Sequence, residues 1–332
     1  MKVFDLHCDT LSELRYAKND KRELSFARNQ LQVDLERLKK GDYFLQCFAC
    51  FVNLGRKNEN PLVSCLEQVD IFYDLLDEYS QDLVQIRTPE DIRNLEKDGR
   101  IGAMLTIEEG GVCLDNISVL RDLYRLGARM MTLTWNYENG LAFPNSVPGA
   151  YVVWPCAPET DPEKGLKKKG FEVIEAMEEL HMILDVSHLG DAGIADVLKA
   201  ARRPFAASHS NARAKCGHVR NLTDEMIREM GKRGCLIGLN YCPSFLDPSM
   251  DRDNVKSRVK DMAVHAKYIM DLGGTDILAL GSDFDGIEGD LEIKDAGDMP
   301  MLAEGLEREG IPHGVVEKIF WRNACRFYEE NL

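Results

Sequence analysis

No stretch of this sequence holds the roughly 18 unbroken apolar residues that a membrane-spanning helix needs. The best run, residues 43–52, is short and contains Gln46, so no membrane partner is expected. Basic residues are scarce: 41 Lys and Arg stand against 56 Asp and Glu, a formal net charge of −15. A field of that sign repels nucleic acid and anionic lipid surfaces, and neither is an expected partner. Cysteine is too sparse for a disulfide scaffold, at 10 in 332 residues. Most, including Cys47, Cys50, Cys235 and Cys242, sit inside apolar runs and read as reduced, buried thiols. Cys47-Phe-Ala-Cys50 has C-x-x-C spacing, but it lies in a strand-like run where no redox turn can form, and it reads as packing. The first residues, Lys2-Val3-Phe4, look like a strand rather than a basic and apolar leader, so the expected location is the cytoplasm.

What is present is enough apolar sequence, 44%, to build a sizeable core. The length fits either two domains or one decorated barrel. Eight short apolar, β-branched or aromatic runs decide between them: residues 3–7, 43–52, 101–108, 130–135, 182–188, 204–210, 235–241 and 277–283. Amphipathic patterns fall between them at 61–79, 89–97, 115–126, 163–180, 191–201, 223–232, 254–272 and 300–309. Thr88 and Thr223 have N-cap chemistry, and Gly127, Gly234 and Gly273 sit just past helix ends. With no composition break or low-complexity tract, the pattern predicts an α/β protein, a single (β/α)8 TIM-type barrel domain spanning 1–332. Lys167-Lys-Lys169 reads as a solvated helix face. A long loop after the fourth strand, residues 136–161, is rich in Pro, Asn and aromatics and is a candidate lid.

In such barrels the chemistry lies at the C-terminal ends of the strands. Polar residues ending the apolar runs here are His7, Asp9, Glu108, His188, His209 and Asp283. His7 and Asp9, two apart, share a face of an extended chain, and His188 and His209 are 21 residues apart, about one β-α repeat. A lone His at a strand end is more often structural, and a lone Asp is often only a helix cap. Three imidazoles and three carboxylates at one mouth are another matter, because desolvation and repulsion demand a compensating cation. Nitrogen and oxygen donors together suit zinc first, with manganese, cobalt or iron as alternatives. Six donors exceed the needs of one catalytic zinc, so two metals are expected.

These residues also carry a family resemblance. Asp5-Leu-His-Cys-Asp9, Leu105-Thr-Ile-Glu-Glu-Gly-Gly111, the stretch 123–134, Ile183-Leu-Asp-Val-Ser-His188, Ala207-Ser-His-Ser-Asn-Ala-Arg213, Arg220-Asn221 and Gly281-Ser-Asp-Phe-Asp-Gly286 occur in one order along nearly the whole chain. In that combination the chain resembles the membrane dipeptidase (renal dipeptidase) family of zinc peptidases in the amidohydrolase superfamily. The resemblance implies two Zn2+ per chain, with Mn2+ or Co2+ as substitutes: His7 and Asp9 on one, His188 and His209 on the other, and Glu108 bridging. Glu109 is the alternative bridge; Glu108 is preferred because it continues the strand without a gap. Asp283 would shuttle the proton, Arg220 would bind the substrate's terminal carboxylate, and the substrate would be a small dipeptide of L,L or L,D configuration. A homodimer is also implied.

One departure stands out. Where mammalian members carry a His taken to polarise the scissile carbonyl, this chain has Trp135, which offers an indole N–H and an apolar wall. Trp135, Asn240 and Tyr241 are candidate substrate-contacting residues, and Tyr151 and Trp154 are candidate lid contacts. Two other functions compete: N-acyl-amino-acid or lactone hydrolysis at the same centre, and a non-catalytic metal-binding barrel. The second should have lost donors, yet all six are present.

Overall fold

A computed structural model describes residues 1–145, 164–249 and 254–332. The strands are β1 (Val3–Cys8), β2 (Tyr43–Phe51), β3 (Leu83–Gln85), β4 (Ile101–Glu108), β5 (Ala128–Thr132), β6 (Ile183–Asp185), β7 (Ala206–Ala207), β8 (Leu236–Leu239), β9 (Lys256–Ser257), β10 (Leu278–Leu280) and β11 (Asp290–Leu291). Eight of them close a parallel barrel in the order β1-β2-β4-β5-β6-β7-β8-β10, with β10 returning to β1. These are the eight apolar runs of the sequence. β3 pairs only with the start of β4, outside the ring, and β9 and β11 form a separate two-stranded ribbon.

Helices fill the connections: α1 (Thr10–Asn19), α2 (Leu35–Lys40), α3 (Pro61–Glu78), α4 (Pro89–Asp98), α5 (Ile117–Arg125), α6 (Lys168–Leu180), α7 (Asp191–Ala200), α8 (Asp224–Lys232), α9 (Pro243–Leu246), α10 (Val259–Gly273), α11 (Met299–Arg308), α12 (His313–Glu317) and α13 (Asn323–Asn331). Thr88 caps α4 with a reciprocal bond from Asp91, and Thr223 caps α8. Elements the apolar pattern does not announce are β3, β9, β11, α1, α2, α9 and α13. In α1 the buried Leu11, Leu14 and Ala17 recur every three residues, too brief a stripe to stand out.

The core has two layers. The inner one draws on every barrel strand, through Phe4, Leu6, Cys47, Met104, Met130, Ile183, Ala206, Leu236 and Ala279, and α13 closes its lower end with Phe327 and Tyr328. The outer one lies between barrel and helices and includes Cys8, Phe48, Cys50 and Ile107. Cys47 and Cys50 thus face different layers, as residues three apart on a strand must, and both act as packing.

Strand β1 departs from simple alternation in a way that matters for the site. Asp5 points outward, where Ser282 donates to it, yet His7 points into the mouth beside Glu108. Two residues apart on a regular strand would share a face. The pairing of β1 with β2 slips in register between Asp5 and Cys8, and that irregularity turns His7 inward.

Candidate metal centre

The C-terminal ends of the strands converge on a cavity of about 480 Å³ lined by Asp9, Glu108, His188 and Asp283, among others. His7 Nε2 lies 3.3 Å from Glu108 Oε2, 3.5 Å from Asp9 Oδ2 and 3.9 Å from Asp283 Oδ1. On the other side, Glu108 Oε1 lies 3.0 Å from His188 Nε2 and 3.7 Å from His209 Nε2. The two oxygens of Glu108 therefore face two different donor groups. His7, Glu108 and His209 present ligand atoms within 4.8 Å of one another, and so do His7, Asp9 and Asp283.

The six candidate donors lie together at this mouth, each at or just past the end of a barrel strand. The chain reaches this geometry through left-handed backbone at non-glycine positions: φ is +66° at His188 and +64° at Asp283. Such conformations cost about 1–3 kcal/mol each and persist where surrounding structure enforces them. Gly286 completes the packing, since a Cβ there would fall 2.0 Å from Asp9 Oδ2.

The donor set fits a cation on its own chemistry. His7 Nε2 and Asp9 Oδ1 are buried without a hydrogen-bond partner, a costly state for atoms that have no other function. His188 Nδ1 lies 2.9 Å from Asn136 Oδ1; that oxygen can only accept, so Nδ1 carries the ring proton and Nε2 offers its lone pair. Electrostatics agree. Burial alone would lower His7, but the Glu108 and Asp9 carboxylates outweigh it and hold the ring well above its ordinary value. Burial, helped by Glu108, pushes Asp9 up to about 6. Burial, with Asp9 and Glu108 adding to it, pushes Asp283 up to about 7. Burial and the cationic Arg220 and His7 hold His188 and His209 well below the ordinary histidine value.

The remaining expected site residues divide. Glu109 is buried but faces away from the donors: it accepts from the backbone N–H groups of Gly111 and Trp135 and from Asn139 Nδ2. Arg220 is 2% exposed; its Nη2 donates to His209 O at 3.1 Å, and its Nε has no partner. Phe245, which lines the cavity, lies 5.4 Å from its guanidinium. Asn240 does not line the cavity but donates to Asp283 Oδ2 at 2.8 Å. Tyr241 is placed elsewhere, in the outer core against Phe284, because it follows inward-facing Asn240 and so points to the other side of the strand. Trp135 lines the cavity, packed edge-on to Phe51 with ring centroids 4.8 Å apart. Tyr151 and Trp154 lie outside the described residues.

Asn136, Asp185 and Ser208 escape the strand-end argument, although each supports a donor. A carboxylate inside the apolar run Ile183-Leu-Asp-Val is the signal that could have exposed Asp185.

A closed β/α barrel with imidazole and carboxylate side chains grouped at its mouth is the architecture of a metallo-hydrolase. More narrowly, the chain belongs to the membrane dipeptidase family, peptidase family M19, which matches residues 1–331. An uncharacterized dipeptidase of Schizosaccharomyces pombe is 29% identical over 349 residues, covering 99% of this chain and 80% of that one. A Klebsiella pneumoniae protein described by its place in the pqqA 5′ region is 31% identical over 267 residues, covering 80% of this chain and 96% of the other. The same fold occurs in a metallopeptidase of Rhodobacter sphaeroides solved with a phosphinate mimic of the dipeptide L-Ala-D-Ala, with a TM-score of 0.88 and 23% identity over 100% of this chain and 99% of that one. It also occurs in the probable dipeptidase PvdM of Pseudomonas aeruginosa, with a TM-score of 0.81 and 18% identity over 96% and 98%. Among the described residues no helix is long and apolar enough to cross a membrane.

Proposed function

We propose that the chain is a binuclear zinc dipeptidase, one domain over residues 1–332, that hydrolyses the amide bond of free L,L or L,D dipeptides. The observation that carries this reading is the placement of Glu108, whose two carboxylate oxygens each face a separate set of donors. His7 and Asp9 would hold one zinc, His188 and His209 the other, and Glu108 would span both. Two bound divalent cations supply a hydroxide nucleophile near neutral pH and a Lewis acid for the scissile carbonyl.

The chain's own residues do the rest. Asn240 pins Asp283 Oδ2 at 2.8 Å, which leaves Oδ1 turned toward the donor cluster. That carboxylate takes the proton from the nucleophile and returns it to the leaving amine. Arg220, buried and with Nε unpartnered, holds the substrate's terminal carboxylate through its guanidinium fork, which limits the substrate to two residues. Trp135 and Phe51 form an apolar wall of the cavity. A homodimer in the cytoplasm completes the reading.

Trp135 in the place of a carbonyl-polarising His favours one second reading, hydrolysis of N-acyl amino acids or lactones at the same centre. Hydrolysis assays across L,L and L,D dipeptides, N-acyl amino acids and lactones, with zinc counted per chain, separate the two. Dipeptide hydrolysis should be lost on chelation and restored by zinc. Arg220→Ala should raise KM for dipeptides at least tenfold, the worth of a charge-assisted hydrogen bond, with little change on uncharged amides. Equal loss on uncharged amides would remove the carboxylate-clamp role, and turnover of N-acyl amino acids or lactones alone would move the conclusion to the second reading.

A further inference from the structure

The geometry points to a buried relay, Asp185 to Ser208 to His209, that fixes the tautomer of the His209 ring and sets how tightly the His188/His209 side of the centre holds its cation. This inference rests on the reading of those two histidines as ligands. Asp185 has no solvent exposure, and four donors fill its carboxylate. Oδ1 accepts from the backbone N–H groups of Ser187 at 3.0 Å and Ser208 at 2.9 Å. Oδ2 accepts from the hydroxyls of Thr132 at 2.7 Å and Ser208 at 2.6 Å. One carboxylate thus ties together the ends of β5, β6 and β7.

Hydrogen counting then settles the ring. A serine hydroxyl has one hydrogen, and Ser208 spends it on Asp185. Ser208 Oγ also lies 2.8 Å from His209 Nδ1, so in that contact it accepts, and Nδ1 must carry the proton. His209 Nε2 is left with its lone pair, as Asn136 leaves that of His188. The two Nε2 atoms lie 2.9 Å apart, a separation at which two lone pairs repel unless a cation lies against both. A donor-acceptor pair at that distance would instead need one ring in the other tautomer, which the relay forbids for His209. The other half of the centre is built differently: Ser282, held by Asp5, meets His7 at its main-chain oxygen, 3.2 Å away, not at its ring.

Partners that orient ligating imidazoles are typically worth 10- to 100-fold in metal affinity. The test loads the full-length chain with zinc and competes it against a chelator, comparing wild type, Ser208→Ala, Thr132→Ala and, as reference, His209→Ala. Ser208→Ala should release one of its two ions 10- to 100-fold more readily than wild type and keep the other. Thr132→Ala breaks a bond to the same carboxylate without touching the ring; it should retain both ions while losing as much metal-free melting temperature as Ser208→Ala. Equal retention in Ser208→Ala and wild type overturns the relay, and so does equal weakening in Thr132→Ala. A wild type that takes up no zinc overturns the metal-centre reading itself, a distinct result. Should Ser208→Ala not fold, nitrogen-15 histidine spectra of the zinc-loaded wild type decide: His209 should be protonated at Nδ1, and protonation at Nε2 sinks the proposal.

Discussion

Glu108 and Glu109 are neighbours of the same type with opposite work. Glu108 ends β4 facing inward, while the backbone at Glu109 turns to φ +114° and sends its side chain into the connection toward Trp135. Burial pushes Glu109 up to about 7, against the bonds it accepts from Trp135, Asn139 and Gly111. The two positions should fail in different ways. Glu109→Gln sets an amide N–H against one of those donors, which should cost about 1–3 kcal/mol of stability and leave zinc content intact. Glu108→Gln should lose zinc while the metal-free protein unfolds at nearly the wild-type urea concentration. Zinc counting beside urea unfolding checks both, and a swap of the two phenotypes would make Glu109 the bridge.

Among the elements, the connection that carries Arg220 shows how position is maintained outside regular structure. Arg213 makes a bidentate pair with Asp191 at the start of α7, at 2.6 and 2.8 Å. The same guanidinium donates to the main-chain oxygens of Asn221 and Val219 on either side of Arg220. Asn221 in turn donates to Phe245 O beside the cavity. Arg213→Lys keeps the charge but loses the fork, so it should raise KM for dipeptides about tenfold, the equivalent of one charge-assisted bond, with kcat nearly unchanged. Steady-state kinetics on the purified variant reads this directly; a fall in kcat at constant KM would contradict it. Arg213 and Arg220 were both visible as motif residues, but the dependence of one on the other was not, since it runs through main-chain oxygens that carry no sequence signature.

For the whole molecule, the consequence is a link between protons, cations and stability. Asp9 and Asp283, pushed up to about 6 and about 7, are protonated in the metal-free fold at pH values where the unfolded chain is ionised. The folded state then binds more protons, so their contribution to stability shrinks as pH rises from about 4 to about 7. His7, held above its ordinary value, contributes stability that is lost as pH rises through its folded value. His188 and His209, held below theirs, act in the opposite sense, but that gain is complete once the unfolded imidazoles are neutral, near 6.5. Above that point the terms share a sign. The melting temperature of the metal-free protein should therefore fall between pH 6.5 and 8.5, and the increment produced by zinc should grow over the same interval, because binding must displace those protons. Differential scanning fluorimetry with and without chelator tests it; a zinc increment that shrinks toward pH 8.5 would refute the linkage.

Chain order alone carried the eight strands, the helices with a long apolar stripe, and the strand-end position of the six candidate donors, because burial in a closed parallel sheet imposes apolar runs and polar residues end them at the mouth. Closure of the barrel supplied the remainder. Asn240 and Tyr241 look equally promising in a list of strand ends, yet one reaches Asp283 and the other packs under the helices. His7 faces the donors because β1 slips in register against β2, and Asp185 matters because β5 and β7 bring Thr132 and Ser208 to it. Local periodicity states how often a side chain changes face. Which face it meets, and what hydrogen or lone pair is waiting there, depends on neighbours more than 20 residues away along the chain.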